Sequence, residues 1–273
     1  MEKLSEIPLP DGGTTVLQVS EAADPGAPLV IVLPAMGVPA GYYGPFVDEL
    51  ASHGVHAAVA DYTGQGESVP ATGRGRDHGY AHLAHEWLPR VLDELRTGHD
   101  GPVIGLGHSL GGHILLAHLA RADSVLDGLV LVGSGTPHWR AIDGLKTLGQ
   151  TQLVGVLSQV LGYWPGDRLG FGGVQPRTLM REWAAFSRTG HLRPGGKGIR
   201  EGLRDRVLPV LVVDLDNDTL APPRAIDALV GMLSGADPQR WTFTKGPDDP
   251  GKPVNHYSFP APPRSSASAS RVG

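Results

Sequence analysis

The sequence predicts an α/β fold: a mainly parallel sheet flanked by helices, with an inserted helical cap. Three observations lead there. Short apolar runs alternate with stretches of helical periodicity through the first half of the chain. The same alternation resumes near the C-terminus. Between them, from about Gly135 to Asp205, helical patterning continues without a clear buried strand.

Taken in order, "TTVLQVS" (14–20) alternates as a half-buried strand does, and "PLVIVLPA" (28–35) is a continuous apolar run. "GPFVDELASHG" (44–54) reads as a helix and "VHAAVADY" (55–62) as the next strand. "YAHLAHEWLPRVLDELR" (80–96) has helical spacing, followed by a strand at 103–106 and another in "GLVLVG" (128–133). In the middle segment, "AIDGLKTLGQTQLVGVLSQVLG" and "PRTLMREWAAFSRTG" are amphipathic, with Pro176 suited to a first helical turn. "LPVLVVDL" (208–215), "PRAIDALVGML" (223–233) and "RWTFT" (240–244) return to strand, helix, strand. The expected division is a core of 1–134 and 206–259, a cap of 135–205, and a flexible Pro/Ser/Ala-rich tail of 260–273.

Composition narrows the chemistry. The 273 residues are 40% hydrophobic and 19% charged, enough for a substantial core and unlike a disordered chain. A net charge of −5 offers no electrostatic reason to expect nucleic acid or an acidic membrane as partner. There are no cysteines, which excludes disulfides, thiolate catalysis and Cys-ligated metals. "MEKLSEIPLPDGG" lacks the apolar core of a signal peptide, and no apolar run reaches membrane-spanning length. A cytoplasmic protein is expected.

The most informative stretch is "VIGLGHSLGGH" (103–113), where Ser109 is enclosed by Gly105, Gly107, Gly111 and Gly112. A strand, a sharp turn and a helix around G-x-S-x-G make a nucleophile elbow, here Gly107, His108, Ser109, Leu110 and Gly111. A serine hydroxyl needs a base, and the base an orienting carboxylate. On this architecture they follow in the order Ser, Asp or Glu, His. After His191 the one remaining histidine is His256, in "GKPVNHYSF". "VLVVDLDNDTLAPP" offers Asp214, Asp216 and Asp218 as carboxylates. One oxyanion donor is expected from the amide of Leu110, the residue after the nucleophile.

These residues resemble the α/β-hydrolase superfamily over about Leu29 to His256, and within it capped bacterial serine hydrolases akin to monoacylglycerol-lipase-like esterases. The resemblance implies Asp218 as the acid, because family acid loops commonly read Asp, three residues, Pro, as in "DTLAP"; Asp216 is the reserve. "DYTGQGES" (61–68) is similar to the family turn D-x-x-G-x-G-x-S, in which Gly64 and Gly66 let the loop fold back toward the site. The second oxyanion donor should lie after "LVIVL", where the family has His-Gly. This chain reads "PAMG", which makes Met36 the donor by position, with Ala35 as the alternative. A further departure is Pro260, Pro262 and Pro263, which forbid the helix that follows the family histidine and leave His256 less supported.

The expected activity is cleavage of an ester or thioester of an apolar acyl group, through an acyl-enzyme on Ser109. Trp139, Trp164 and Trp183 in the cap are the expected substrate wall. Acyl transfer or elimination of a carboxylic acid by the same residues is the alternative, and a ligand-binding protein without turnover a third. No cofactor is expected. "GLGHSLG" is a weak dinucleotide signal without the acidic residue that would hold a ribose. His78, His82 and His85 beside Glu86 lack the frame of a metal helix and read as polar surface. His108 and His113 precede the acid in chain order and read as packing residues.

Overall fold

The computed structural model describes residues 2–9, 12–244, 254–257 and 259. Eight strands form one sheet: β1 (Glu2–Pro8), β2 (Thr14–Ser20), β3 (Leu29–Leu33), β4 (His56–Ala60), β5 (Val103–His108), β6 (Gly128–Val132), β9 (Val210–Leu215) and β10 (Gln239–Phe243). Their spatial order is β1-β2-β4-β3-β5-β6-β9-β10. The first two strands run antiparallel to their neighbours, and all the rest are parallel. Central strands β3 and β4 are buried along their whole length, as helices on both faces require.

The connecting helices are α1 (Gly44–Ser52), α2 (Tyr80–His82), α3 (Leu88–Arg96), α4 (Leu110–Leu119) and, near the C-terminus, α9 (Pro223–Val230). A π-helical turn, Leu83–Trp87, joins α2 to α3. It buries Leu83, Ala84 and Trp87 against the sheet, and Trp87 Nε1 donates to the Asp61 carbonyl at 3.1 Å. Helix α4 is mostly apolar and buried over its full length, His113 and His118 included, the pattern of a helix enclosed on every side.

The helical cap is inserted between β6 and β9. It contains α5 (Leu145–Leu161), β7 (Tyr163–Pro165), α6 (Gly166–Leu169), β8 (Val174–Pro176), α7 (Arg177–Thr189) and α8 (Arg200–Leu203). Strands β7 and β8 form an antiparallel pair that the sequence pattern did not reveal, being three residues each. Pro176 caps α7 from outside, in extended conformation, rather than lying within its first turn.

Polar anchors hold the cap to the core. Asp77 accepts from the Thr178 amide (2.8 Å), Thr178 Oγ1 (2.7 Å) and Arg177 Nε (3.0 Å). Glu182 accepts from the amides of Tyr80 (2.8 Å) and Gly195 (3.0 Å). The cap therefore rests on the start of the α2–α3 run, above the C-terminal ends of the parallel strands, where open α/β sheets bind ligands.

Candidate active site

Ser109 stands between β5 and α4 with φ 53° and ψ −110°, the one non-glycine residue with positive φ among those described. Its amide donates to the Val132 carbonyl (3.0 Å), and its own carbonyl accepts from Gly112 N (3.1 Å). A conformation this costly persists only where the surroundings impose it. The neighbouring glycines are part of that imposition. A Cβ at Gly107 would lie 2.4 Å from the Gly112 amide, and one at Gly111 2.2 Å from the Leu33 carbonyl oxygen. The glycine cluster thus answers to close backbone approach among β5, α4 and β3.

His256 and Asp218 meet. The His256 Nδ1 to Asp218 Oδ2 distance is 2.7 Å, and both side chains are buried. The other carboxylate oxygen, Oδ1, accepts from the amides of Leu220 (2.9 Å) and Ala221 (3.0 Å), so the acid is fixed from both sides. The competing acids lie elsewhere. Asp216 is exposed, and Asp214 is ion-paired to Arg240 on β10.

The prolines expected to weaken the support of His256 lie outside the described residues. Support comes from other groups. Tyr42 Oη donates to the Tyr257 carbonyl at 2.6 Å. The Phe259 ring packs edge-on against Phe46 and His108, at centroid distances of 5.3 and 5.5 Å. His108 in turn lies 5.0 Å from the His256 ring.

The loop after β3 is held rigidly. Tyr62 Oη donates to the Pro34 carbonyl (2.7 Å), and the Ala35 amide donates to Tyr43 Oη (2.9 Å). That commitment removes Ala35 as a free donor and leaves the Met36 amide, which no acceptor takes among the described residues. Leu110 opens α4, so its amide has no carbonyl one turn back. Asp61 organises the "DYTGQGES" turn, accepting from the amides of Ala40 (2.8 Å) and Glu67 (3.0 Å). Burial raises the Asp61 carboxyl above its ordinary range, and the two amides offset part of that shift.

Ser109, His256, Met36 and Leu110 all line one cavity of about 560 Å³. Trp164, Phe171, Trp183 and Val154 give it an apolar wall, with Thr147, Gln150 and Lys146 at a more polar part. Trp139 is not on that wall. It sits in a one-turn helix, Trp139–Ala141, with the Arg140 guanidinium 4.7 Å above its ring. Phe171, Ile142 and Leu169 also line the cavity, and carry no sequence signal beyond apolarity.

The histidines near the cavity and on the α2–α3 run have structural partners. His113 lies between Tyr80 Oη (3.1 Å) and the Gly135 carbonyl (2.9 Å), and burial pushes it down to about 4. Burial, with the neighbouring His256, pushes His108 down to about 3. His82 reaches Thr63 Oγ1 (2.9 Å) and Glu86 (3.1 Å), and its ring lies 5.0 Å from that of His78 at a tilt of 47°. Among the described residues no group of three or more His, Asp or Glu side chains could hold a metal.

With this geometry in place, comparison with known proteins is decisive for the family. A family model described as "Alpha/beta hydrolase family" matches residues 30–255. The chain belongs to the alpha/beta hydrolase family. Hydrolase and esterase-type chemistry is what that family is associated with. No curated protein sequence matches this chain. Solved structures do resemble it in fold. A thioesterase domain from the curacin biosynthetic pathway aligns with TM-score 0.59 at 18% identity, covering 94% of each chain. An esterase from Exiguobacterium antarcticum aligns with TM-score 0.55 at 18% identity, covering 93% of each. A hydrolase from Pseudomonas aeruginosa PA01 aligns with TM-score 0.57 at 18% identity, covering 88% of this chain and 90% of that one. No helix among the described residues is long and apolar enough to cross a membrane.

Proposed function

We propose that the protein is a serine hydrolase that cleaves an ester or thioester of an apolar acyl group. The observation that carries this reading is the 2.7 Å contact of His256 Nδ1 with Asp218, beside a cavity that Ser109 also lines. In this mechanism Ser109 Oγ attacks the acyl carbonyl while His256 Nε2 takes its proton. The oxygen becomes an oxyanion held by the amides of Met36 and Leu110, each such donor typically being worth about 10²–10³ in rate. His256 then protonates the leaving alcohol or thiol as the C–O or C–S bond breaks. Water, deprotonated by the same imidazole, releases the acid and restores Ser109. Asp218 holds the tautomer with hydrogen on Nδ1 and stabilises the imidazolium.

The cap, which we take as residues 135–205, contributes Trp164, Phe171 and Trp183 to an acyl-binding wall, and this supports an apolar substrate. The thioesterase and esterase names among the structural neighbours fit the same reading. Turnover of a panel of acyl esters and acyl thioesters in ¹⁸O-labelled water tests it. Label in the released acid is expected. Acyl transfer or elimination of a carboxylic acid leaves the label out. Binding without turnover, at a rate equal to that of His256→Ala, contradicts the enzyme reading altogether.

A further inference from the structure

Helix α5 is built inside out. Its buried positions are Thr147, Thr151, Gly155 and Ser158, small or polar residues packed toward α7. Thr151 Oγ1 donates to Ser187 Oγ at 2.8 Å, and a Cβ on Gly155 would lie 2.8 Å from that of Ala184. Its outward positions are aliphatic. Leu145, Leu153, Val156 and Val160 are 74%, 58%, 60% and 76% exposed. At helical spacing these four fall within an arc of about 80°, a row roughly 22 Å long. Single exposed leucines are ordinary, but a continuous row marks a contact surface.

The row has charged flanks. Helix α7 runs antiparallel beside it, tied by Gln159 Nε2 to the Arg177 carbonyl (2.8 Å) and by Arg188 Nη1 to Gln152 Oε1 (2.5 Å). Arg177, Arg181 and Arg188 are exposed and share an arc of about 40° on α7, next to the α5 row. Lys146 lies on the opposite flank, at the cavity. The charge of the whole chain conceals this. Residues 135–205 carry ten Lys and Arg against five Asp and Glu, while the rest carries thirteen against twenty-three. A net charge of −5 is therefore the average of a basic cap and a strongly acidic core.

We propose that this face of the cap docks on an anionic lipid surface. The aliphatic row would enter the acyl region while Arg181, Arg188 and Lys146 meet headgroup phosphates, Arg177 being held by Asp77, the pattern of an interfacial helix. The acidic core orients the molecule, since only the cap is attracted to such a surface. A second copy fits less well. Antiparallel pairing on α5 sets arginine row against arginine row, and parallel pairing sets each against the Lys146 flank, like charge against like. Leu153 belongs both to the row and to the cavity wall, so a docked cap opens the cavity beside the lipid. That last point rests on the proposed hydrolase reading; the docking itself does not.

Flotation with phosphatidylglycerol/phosphatidylcholine vesicles, and with phosphatidylcholine alone, tests this. Wild type and Ser109→Ala should float equally with anionic vesicles, weakly with neutral ones, and less at high salt. Leu145→Gln/Val156→Gln/Val160→Gln should lower partitioning about tenfold or more, with its circular dichroism melt showing a folded protein. Arg181→Gln/Arg188→Gln should lower it independently, which keeps the test intact if the triple variant does not fold. Absence of flotation, equal flotation on neutral vesicles, or undiminished flotation of both variants would overturn the proposal. So would a dimer in sedimentation that the triple variant abolishes. Because flotation of Ser109→Ala needs no turnover, failure of the docking and failure of the hydrolase reading are separable.

Discussion

Tyr43 Oη lies 2.7 Å from His108 Nδ1, both groups fully enclosed by protein. Because the tyrosine oxygen also accepts the Ala35 amide, its own proton goes to His108. One hydroxyl therefore links the loop after β3 to the ring that packs on His256. Tyr43→Phe leaves a buried amide and a buried imidazole nitrogen unpartnered. We expect a loss of about 1–3 kcal/mol and a Tm lower by several degrees, measured calorimetrically. Turnover should fall further than stability alone explains, because the Met36 amide loses its rigid neighbour. An unchanged Tm would contradict this account of the loop.

The two depressed histidines make stability pH-dependent. His108, pushed down to about 3, and His113, down to about 4, are neutral in the folded protein at pH 5. In the unfolded chain they titrate near 6.5, so the unfolded state binds more protons between pH 6.5 and the folded values. Stability therefore falls as pH drops through that window, by about 2 kcal/mol per histidine at pH 5. The carboxyls of buried Asp61 and half-buried Glu182, raised by loss of solvent, act in the opposite direction. Tm measured from pH 7 to 5 should decline, and His108→Asn should make the decline shallower. A decline that His108→Asn leaves unchanged would show that this ring is not held neutral.

Asp218 and Asp216 are two residues apart but differ in setting, one bonded to His256 and two amides, the other exposed. Asp218→Asn should cost roughly 10³–10⁴ in kcat by favouring the wrong imidazole tautomer. Asp216→Asn should cost less than about twofold, a surface change of the usual size. Steady-state kinetics on one ester decides between them, and equal losses would remove the acid assignment.

Asp77 fastens the cap. Partial burial raises its carboxyl, but bonds from Thr178 and Arg177 more than offset this and hold it below its ordinary range. Asp77→Ala frees the start of α7 from the core. Limited proteolysis should then cut within 135–205 several-fold faster. KM for an apolar ester should rise more than kcat falls, since the cap supplies the wall rather than the reacting groups. Unchanged proteolysis would place the fastening elsewhere.

Much of this was legible because local rules and chain order restrict the choices. The serine among glycines announces a turn too tight for side chains, and Gly107 and Gly111 prove to be pressed against backbone. One histidine remains after the last helix-strand pattern, so chain order alone pointed to His256, the ring that meets Asp218. What escaped notice was short, edge-placed or averaged. The strand Glu2–Pro8 lies at the sheet edge, paired on one side only, and its sequence "EKLSEIP" lacks the apolar run of a central strand. The three-residue strands β7 and β8 are held by their mutual pairing and by bonds from the core, such as Gln65 Nε2 to the Val174 carbonyl at 2.7 Å, which no periodicity records. Trp139 shares the aromatic character of Trp164 and Trp183, yet its one-turn helix keeps it off the cavity wall. The basic cap was hidden by the acidic core in the total charge.

The central claim is that Ser109 is a nucleophile activated through His256 and Asp218. Reaction of the purified protein with a fluorophosphonate probe, followed by peptide mass spectrometry, measures this directly. The account predicts one adduct, on Ser109, absent in Ser109→Ala and slowed by several decades in His256→Ala. An adduct on another residue, or labelling that persists in Ser109→Ala at the wild-type rate, would contradict it.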